Sequence, residues 1–303
     1  GFRYGNKRKN ENQINVLCIG GSTTWNIGVD KPNKTYPAKL EKILTDKGFD
    51  VNVINLGVPY HSSIEVLMRF LTKSIYLNPD LVLIHTGGND IEPLISPNKY
   101  KPDYSHWRVP GIINNDKIFK KLYNEYRLNI IRLFLIYYFK PGHGSMSATQ
   151  ISYLKDVIYS KAEINKIEPN GLENYFDSII AICLYNNIQP ITILFNAELR
   201  NRKSWLNKIF SYKMTMKDSL DYEHALNLYH SGLNLNNSIM DSISKRRGVP
   251  IIEFNKWEPS NPNFWIDESH LNSKGVNEKA EFISKFLIEN KLIKQYQNRP
   301  FKY

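Results

Sequence analysis

The stretch Asn15-Val16-Leu17-Cys18-Ile19-Gly20-Gly21-Ser22-Thr23-Thr24-Trp25 decides how the rest of the chain is read. A short apolar run stopped by a Gly-Gly pair reads as a buried strand. Ser22 follows the pair at once. Glycines let the backbone turn sharply, so the hydroxyl is expected at the carboxyl end of the strand, where open α/β sheets bind ligands. Taken alone, the same residues describe a strand followed by an ordinary polar turn. Downstream stretches separate the two readings.

Outward from this strand the chain alternates. Thr35-Tyr36-Pro37 opens a helix ending at Gly48, with Thr35 as cap, Pro37 in the first turn and Leu40, Ile43 and Leu44 on one face. Val51–Leu56 reads as a second strand stopped by Gly57, and Ser63–Ser74 as a helix with Val66, Leu67, Phe70 and Leu71 at helical spacing. Leu81–His85 is a third strand, stopped by Gly87-Gly88. This strand–helix alternation predicts a parallel, doubly wound α/β sheet.

The rhythm breaks between Ile91 and Pro169, a stretch rich in Tyr and Trp with a helix expected over Ile118–Phe139. It reads as an inserted helical lid or cap over the cleft within a domain spanning 14–303. Alternation resumes with a helix from Leu172 to Tyr185, a strand over Pro190–Phe195, and a long helix over Lys217–Lys245 that Gly232 is expected to interrupt. A last strand over Val249–Glu253 and a helix from Ser273, with Val276, Ala280, Ile283 and Leu287 inward, complete the pattern. Residues 1–13 read as a loosely held basic arm.

The chain has 303 residues, 42% of them hydrophobic, which suffices for a full core. Forty Lys and Arg against 29 Asp and Glu give a formal charge of +11. That suits an anionic polymer or an anionic membrane surface. The basic residues are scattered, with Lys7-Arg8-Lys9 and Lys245-Arg246-Arg247 the only runs of three, so a nucleic-acid partner is not expected. Cys18 and Cys183 read as small buried apolar residues. No apolar run is long enough to span a bilayer. The chain starts at Gly1 rather than Met. The expectation drawn from this is a processed protein that has lost a signal or anchor and works outside the cytoplasm.

Four stretches fall on loops at strand ends or just before the last helix: Gly20-Gly21-Ser22, Asn55-Leu56-Gly57, Gly87-Gly88-Asn89-Asp90 and Asp267-Glu268-Ser269-His270. Each suits one part of acyl transfer. A serine hydroxyl needs an adjacent base to act as nucleophile, and His270 is the candidate. The base needs a partner that fixes its tautomer, as Asp267 can. A tetrahedral oxyanion needs fixed donors, for which the N–H groups of Ser22 and Gly57 and the Asn89 amide are the candidates.

In order and identity these stretches resemble the SGNH (GDSL-like) hydrolase family of esterases and acetyl-transferring enzymes. The resemblance covers residues 14–90 and 172–290; one departure is Gly21, where the family carries Asp. It implies a three-layer α/β/α, flavodoxin-like fold and ester hydrolysis through an acyl-serine, with no cofactor and no metal. Family substrates range from acetylated carbohydrates to lipids, and the fold does not select among them. Aromatic residues in the insertion and before His270 suit an acylated carbohydrate, since sugars stack on such rings, although ordinary core packing is the simpler explanation of them. Trp25, His61 and Trp265 are the candidates for substrate contact. An O-acyltransferase using the same site, and a silent glycan-binding module, are the alternative functions. His85 reads as a core or lining histidine, and His106 and His143 fall in the insertion.

Overall fold

The structure is a computed structural model, and it describes residues 2–5, 12–94, 170–198 and 222–293. The chain divides into two compact units: residues 1–92, 168–202 and 229–303 form the first, and 93–167 with 203–228 the second. Almost all described residues belong to the first unit. Beyond Ile91–Leu94 the expected lid, its helix and its histidines lie outside the described residues.

Five strands form one sheet: β1 (Ile14–Gly20), β2 (Val51–Asn55), β3 (Leu81–His85), β4 (Gln189–Ile193) and β5 (Ile251–Ile252). Their order is β2-β1-β3-β4-β5, and every pair is parallel. The seven residues of β1 are all buried, as a strand covered on both faces must be. Side chains alternate along it: Ile14, Val16 and Cys18 enter one core, while Leu17 and Ile19 point to the other face.

Among the described residues seven α-helices accompany the sheet: α1 (Ser22–Trp25), α2 (Tyr36–Asp46), α3 (Ser63–Arg69), α4 (Ile91–Leu94), α5 (Asn170–Tyr185), α6 (Tyr222–Arg246) and α7 (Ser273–Glu289). Helices α2 and α7 pack together, and Tyr36, Leu40 and Leu44 join Val276, Ala280, Ile283 and Leu287 in the first core. Helices α3 and α5 form another packed pair. This is the expected three-layer α/β/α arrangement, with the order reversing between β1 and β3. Ligand sites in such sheets lie beyond the carboxyl ends of the strands at that reversal.

Several boundaries differ from the sequence reading. Helix α3 ends at Arg69 and continues as a π-helical turn, Phe70–Ser74; there the Ser74 hydroxyl bonds the Arg69 carbonyl at 3.3 Å, five residues back. The last strand is only two residues long. The Val249 N–H still closes α6 onto the Ser244 carbonyl, and Pro250 has no N–H to give the ladder. Helix α6 runs unbroken through Gly232; its 25 residues absorb a cost of about 1 kcal/mol. The amino-terminal arm is not loose at residues 3–4. Tyr4 bridges Asn55 at the end of β2, with the Asn55 N–H on the Tyr4 carbonyl at 2.9 Å, and the Tyr4 hydroxyl donates to Glu41.

Candidate active site

Strand β1 delivers Ser22 directly into the first turn of α1, whose Trp25 and Asn26 N–H groups bond the Gly21 and Ser22 carbonyls. Asn26 closes the turn in a left-handed conformation, and its carboxamide oxygen accepts the Tyr36 N–H at 2.7 Å. The end of β1 is therefore tied to the start of α2. Gly21 is a close-approach glycine: a Cβ there would lie 2.8 Å from Asn89 Nδ2 and 3.0 Å from the His61 carbonyl oxygen. In this chain a side chain at position 21 would press on Asn89 and the His61 carbonyl.

The loop after β3 supplies Asn89 and Asp90. Asn89 Nδ2 donates one hydrogen to the His61 carbonyl at 2.9 Å, which leaves its second hydrogen for a ligand. Asp90 is fully buried and accepts the Ser63 hydroxyl at 2.6 Å and the Ser63 N–H at 3.1 Å. It thereby anchors the start of α3 beneath Asn89. That start also carries a reciprocal cap between Ser62 and Glu65.

The remaining residues come from the loop before α7. Trp265 and Leu271 bridge antiparallel, and the Ile266 N–H bonds the His270 carbonyl at 2.9 Å, so residues 265–271 make one tight turn. Inside it Asp267 Oδ1 accepts the N–H groups of Ser269 at 3.0 Å and His270 at 2.8 Å. The Asp267 carboxylate also meets His270 Nδ1 at 2.9 and 2.7 Å. On the opposite side of the ring, His270 Nε2 lies 2.8 Å from Ser22 Oγ. A carboxylate on Nδ1 dictates that this nitrogen carries the hydrogen, so Nε2 accepts from the serine hydroxyl. Burial pushes the Asp267 carboxyl up. The hydrogen bond and charge of His270, with the two N–H donors, outweigh that and leave it below the ordinary carboxylate value.

Two sequence expectations need correction. The Gly57 N–H donates to Asn55 Oδ1 at 3.0 Å and is spent there. Residue 57 is glycine for packing, because a Cβ would run into the Thr24–Trp25 backbone. Trp265 is buried at 5% exposure and packs on Trp257, whose ring stacks on Phe254; it is a core residue and offers no surface to a substrate. Trp25 is half-buried with the Arg3 guanidinium 4.5 Å from its ring centre. His61 meets Asn89 through its backbone carbonyl. Both cysteines are buried and free, and burial pushes each thiol up to about 12.

Among the described residues, Asp267, Glu268 and His270 have ligand atoms within 4.8 Å of one another. A metal there would have to break the Asp267–His270 pair. The sequence reading also missed Lys279. It projects from the buried face of α7, three positions after Val276 and four before Ile283, and is 1% exposed. A charge inside an apolar stripe was the available signal.

The model of the GDSL-like lipase/acylhydrolase family matches residues 18–163. Over that stretch, just under half of its length, the chain resembles this family. The match takes in Ser22 and Asn89 and stops well before Asp267 and His270, which the folded geometry alone joins to the serine. The esterase TesA of Pseudomonas aeruginosa is 33% identical over 75 residues, or 25% of this chain. The matched region spans 37% of the length of TesA. The lipase/acylhydrolase of Enterococcus faecalis is 12% identical, with a TM-score of 0.50 over 92% of this chain and 97% of that one. At that identity the likeness is one of fold alone. No helix among the described residues is long and apolar enough to cross a membrane.

Proposed function

We propose that the protein is a serine esterase that acts through an acyl-Ser22 intermediate. The observation that carries this reading is the continuous line from the Asp267 carboxylate through the His270 ring to Ser22 Oγ, with contacts of 2.7 and 2.8 Å. The Ser22 oxygen attacks the ester carbonyl while its proton passes to His270 Nε2. Asp267 holds the ring and stabilises the imidazolium so formed. The oxyanion sits against the Ser22 N–H and the free hydrogen of Asn89 Nδ2. Collapse expels the alcohol, which takes the proton from His270. Water, activated by the same nitrogen, then releases the acid and restores Ser22.

For the substrate we propose a short acyl ester, acetyl in the first instance, on an anionic carbohydrate. The net charge of +11 and the half-buried Trp25 beside Ser22 support this. The buried Trp265 does not contribute.

A fluorophosphonate probe tests the mechanism: Ser22 should be labelled in the intact protein, and Ser22→Ala and His270→Ala should abolish the labelling. Folded protein that neither labels nor releases acid from any ester at pH 7–9 would overturn the hydrolase reading. Acetate release from acetylated polysaccharides, against a series of p-nitrophenyl esters of rising chain length, tests the substrate. A preference for long chains would reject acetyl.

A further inference from the structure

Lys279 stands at the edge of the chemistry just described without taking part in it. Its Nζ lies 3.0 Å from His85 Nδ1, and 4.4 and 4.8 Å from the ring centres of Tyr36 and Phe254. Among the described residues no carboxylate meets it. An ammonium without a counter-charge in a protein interior is costly, and aromatic faces offset only part of that cost.

His85 has the complementary problem. It is 1% exposed, and when Lys279 is an ammonium its Nδ1 accepts from Lys279, so Nε2 carries the ring hydrogen. Among the described residues that buried Nε2 has no hydrogen-bond partner. Such orphans are rare and call for an explanation.

Both side chains line a small cavity shared with Thr23, Asn196, Ser269 and His270, with room for about one water-sized molecule. The Asn196 amide hydrogens are already spent on the carbonyls of Phe254 and Trp257. The donors left for an occupant are the ammonium, the orphaned ring N–H and hydroxyls. Water would satisfy the hydrogen bonds and leave the charge uncompensated. A carboxylate-bearing ligand has too many atoms for the space.

We infer that this cavity is a binding site for one small inorganic anion of halide size, held by Lys279 and His85 beneath His270. The groups facing Lys279 leave the role of counter-charge open. On β1 the Cys18 thiol is pushed up to about 12 by burial, and on α2 burial raises the Tyr36 phenol. On β3 burial, then the Lys279 charge, keep His85 neutral. Glu41 of α2 is engaged by the Tyr4 hydroxyl and the Val53 N–H, and Asp267 by His270. Burial lowers Lys279 itself to about 7, so the ammonium and its anion are taken up together as the pH falls through neutrality.

The test uses the whole chain. At pH 6 and fixed ionic strength, the melting temperature should rise with bromide or chloride and not with gluconate, which is too large to enter. Halide affinity should weaken about tenfold between pH 6 and 8, following the protonated fraction of Lys279. Lys279→Met should abolish the halide effect. Crystals soaked in bromide should show an anomalous peak within hydrogen-bond reach of Lys279 Nζ. Equal stability in halide and gluconate, a halide effect that survives Lys279→Met, or bromide found only at the surface would each overturn the inference. If the variant does not fold, the bromide position in the unaltered protein decides. None of these readouts requires esterase activity, so failure of the catalytic proposal would leave the outcome intact.

Discussion

His270 Nε2 lies 2.8 Å from Ser22 Oγ, although 248 positions separate the two residues. The sheet order explains the meeting. Ser22 leaves the interior strand β1, and the 265–271 turn returns the chain to the same edge before α7 begins.

If these two groups act as one unit, their losses should not add. Ser22→Ala and His270→Ala should each lower kcat/KM on p-nitrophenyl acetate by about 10⁴ or more. The double variant should be no worse than either alone. Steady-state kinetics on the three proteins checks this; losses that multiply would mean the two residues serve separate steps.

Asp267→Asn should cost about 10⁴ in kcat by allowing the wrong histidine tautomer, with the fold kept. It should also change acid stability. The Asp267 carboxyl sits below its ordinary 3.8 in the folded chain. Its contribution is therefore present above that value and lost as the pH falls through the lower, folded one. Urea midpoints between pH 2 and 5 should fall less steeply in the variant than in the parent protein.

Asn89→Ala and Gly57→Ala should fail in different ways. The first removes an oxyanion donor, and kcat should fall about 10²–10³ with little change in melting temperature. The second forces a methyl against the Thr24–Trp25 backbone and should destabilise by about 1–3 kcal/mol. Calorimetry beside kinetics separates them. A Gly57→Ala protein of normal stability and poor activity would restore that N–H to the oxyanion site.

Asp90→Ala should leave the Ser63 N–H and hydroxyl buried without an acceptor. The expected loss is about 1–3 kcal/mol. The urea midpoint should drop with an unchanged m-value.

The sheet was legible because β1 and β3 are almost continuous apolar runs and β2 alternates apolar residues with only Asn52 and Asn55, each run stopped by glycine or a turn, as strands buried on both faces tend to be. The meeting of Ser22, Asp267 and His270 was legible because each lies on a loop at a strand end or just before the last helix. Gly57 misled because nothing in Asn55-Leu56-Gly57 says that the Asn55 side chain turns back onto the Gly57 N–H. Trp265 misled because the bridge to Leu271 turns an aromatic that looks like loop surface into the core. Lys279 was overlooked although its position among Val276, Ala280 and Ile283 already put a charge on the buried face; what only the fold supplies is its partner, His85.

Lys279 also sets an expectation for stability. In the folded chain burial lowers it to about 7, against 10.5 when exposed. Between those values the unfolded chain binds a proton that the folded chain does not, so stability should rise as the pH rises from 7 towards 10 in halide-free buffer. Below pH 7 both states are protonated, and the full cost of the buried charge persists. Lys279→Met keeps much of the side-chain volume and removes the charge. It should therefore be more stable than the parent protein at pH 6, and the difference should narrow as the pH approaches 10. Thermal unfolding of both proteins at pH 6, 8 and 10 measures this. A variant that is less stable at pH 6 in halide-free buffer would mean that the ammonium already has a compensating partner in the folded protein.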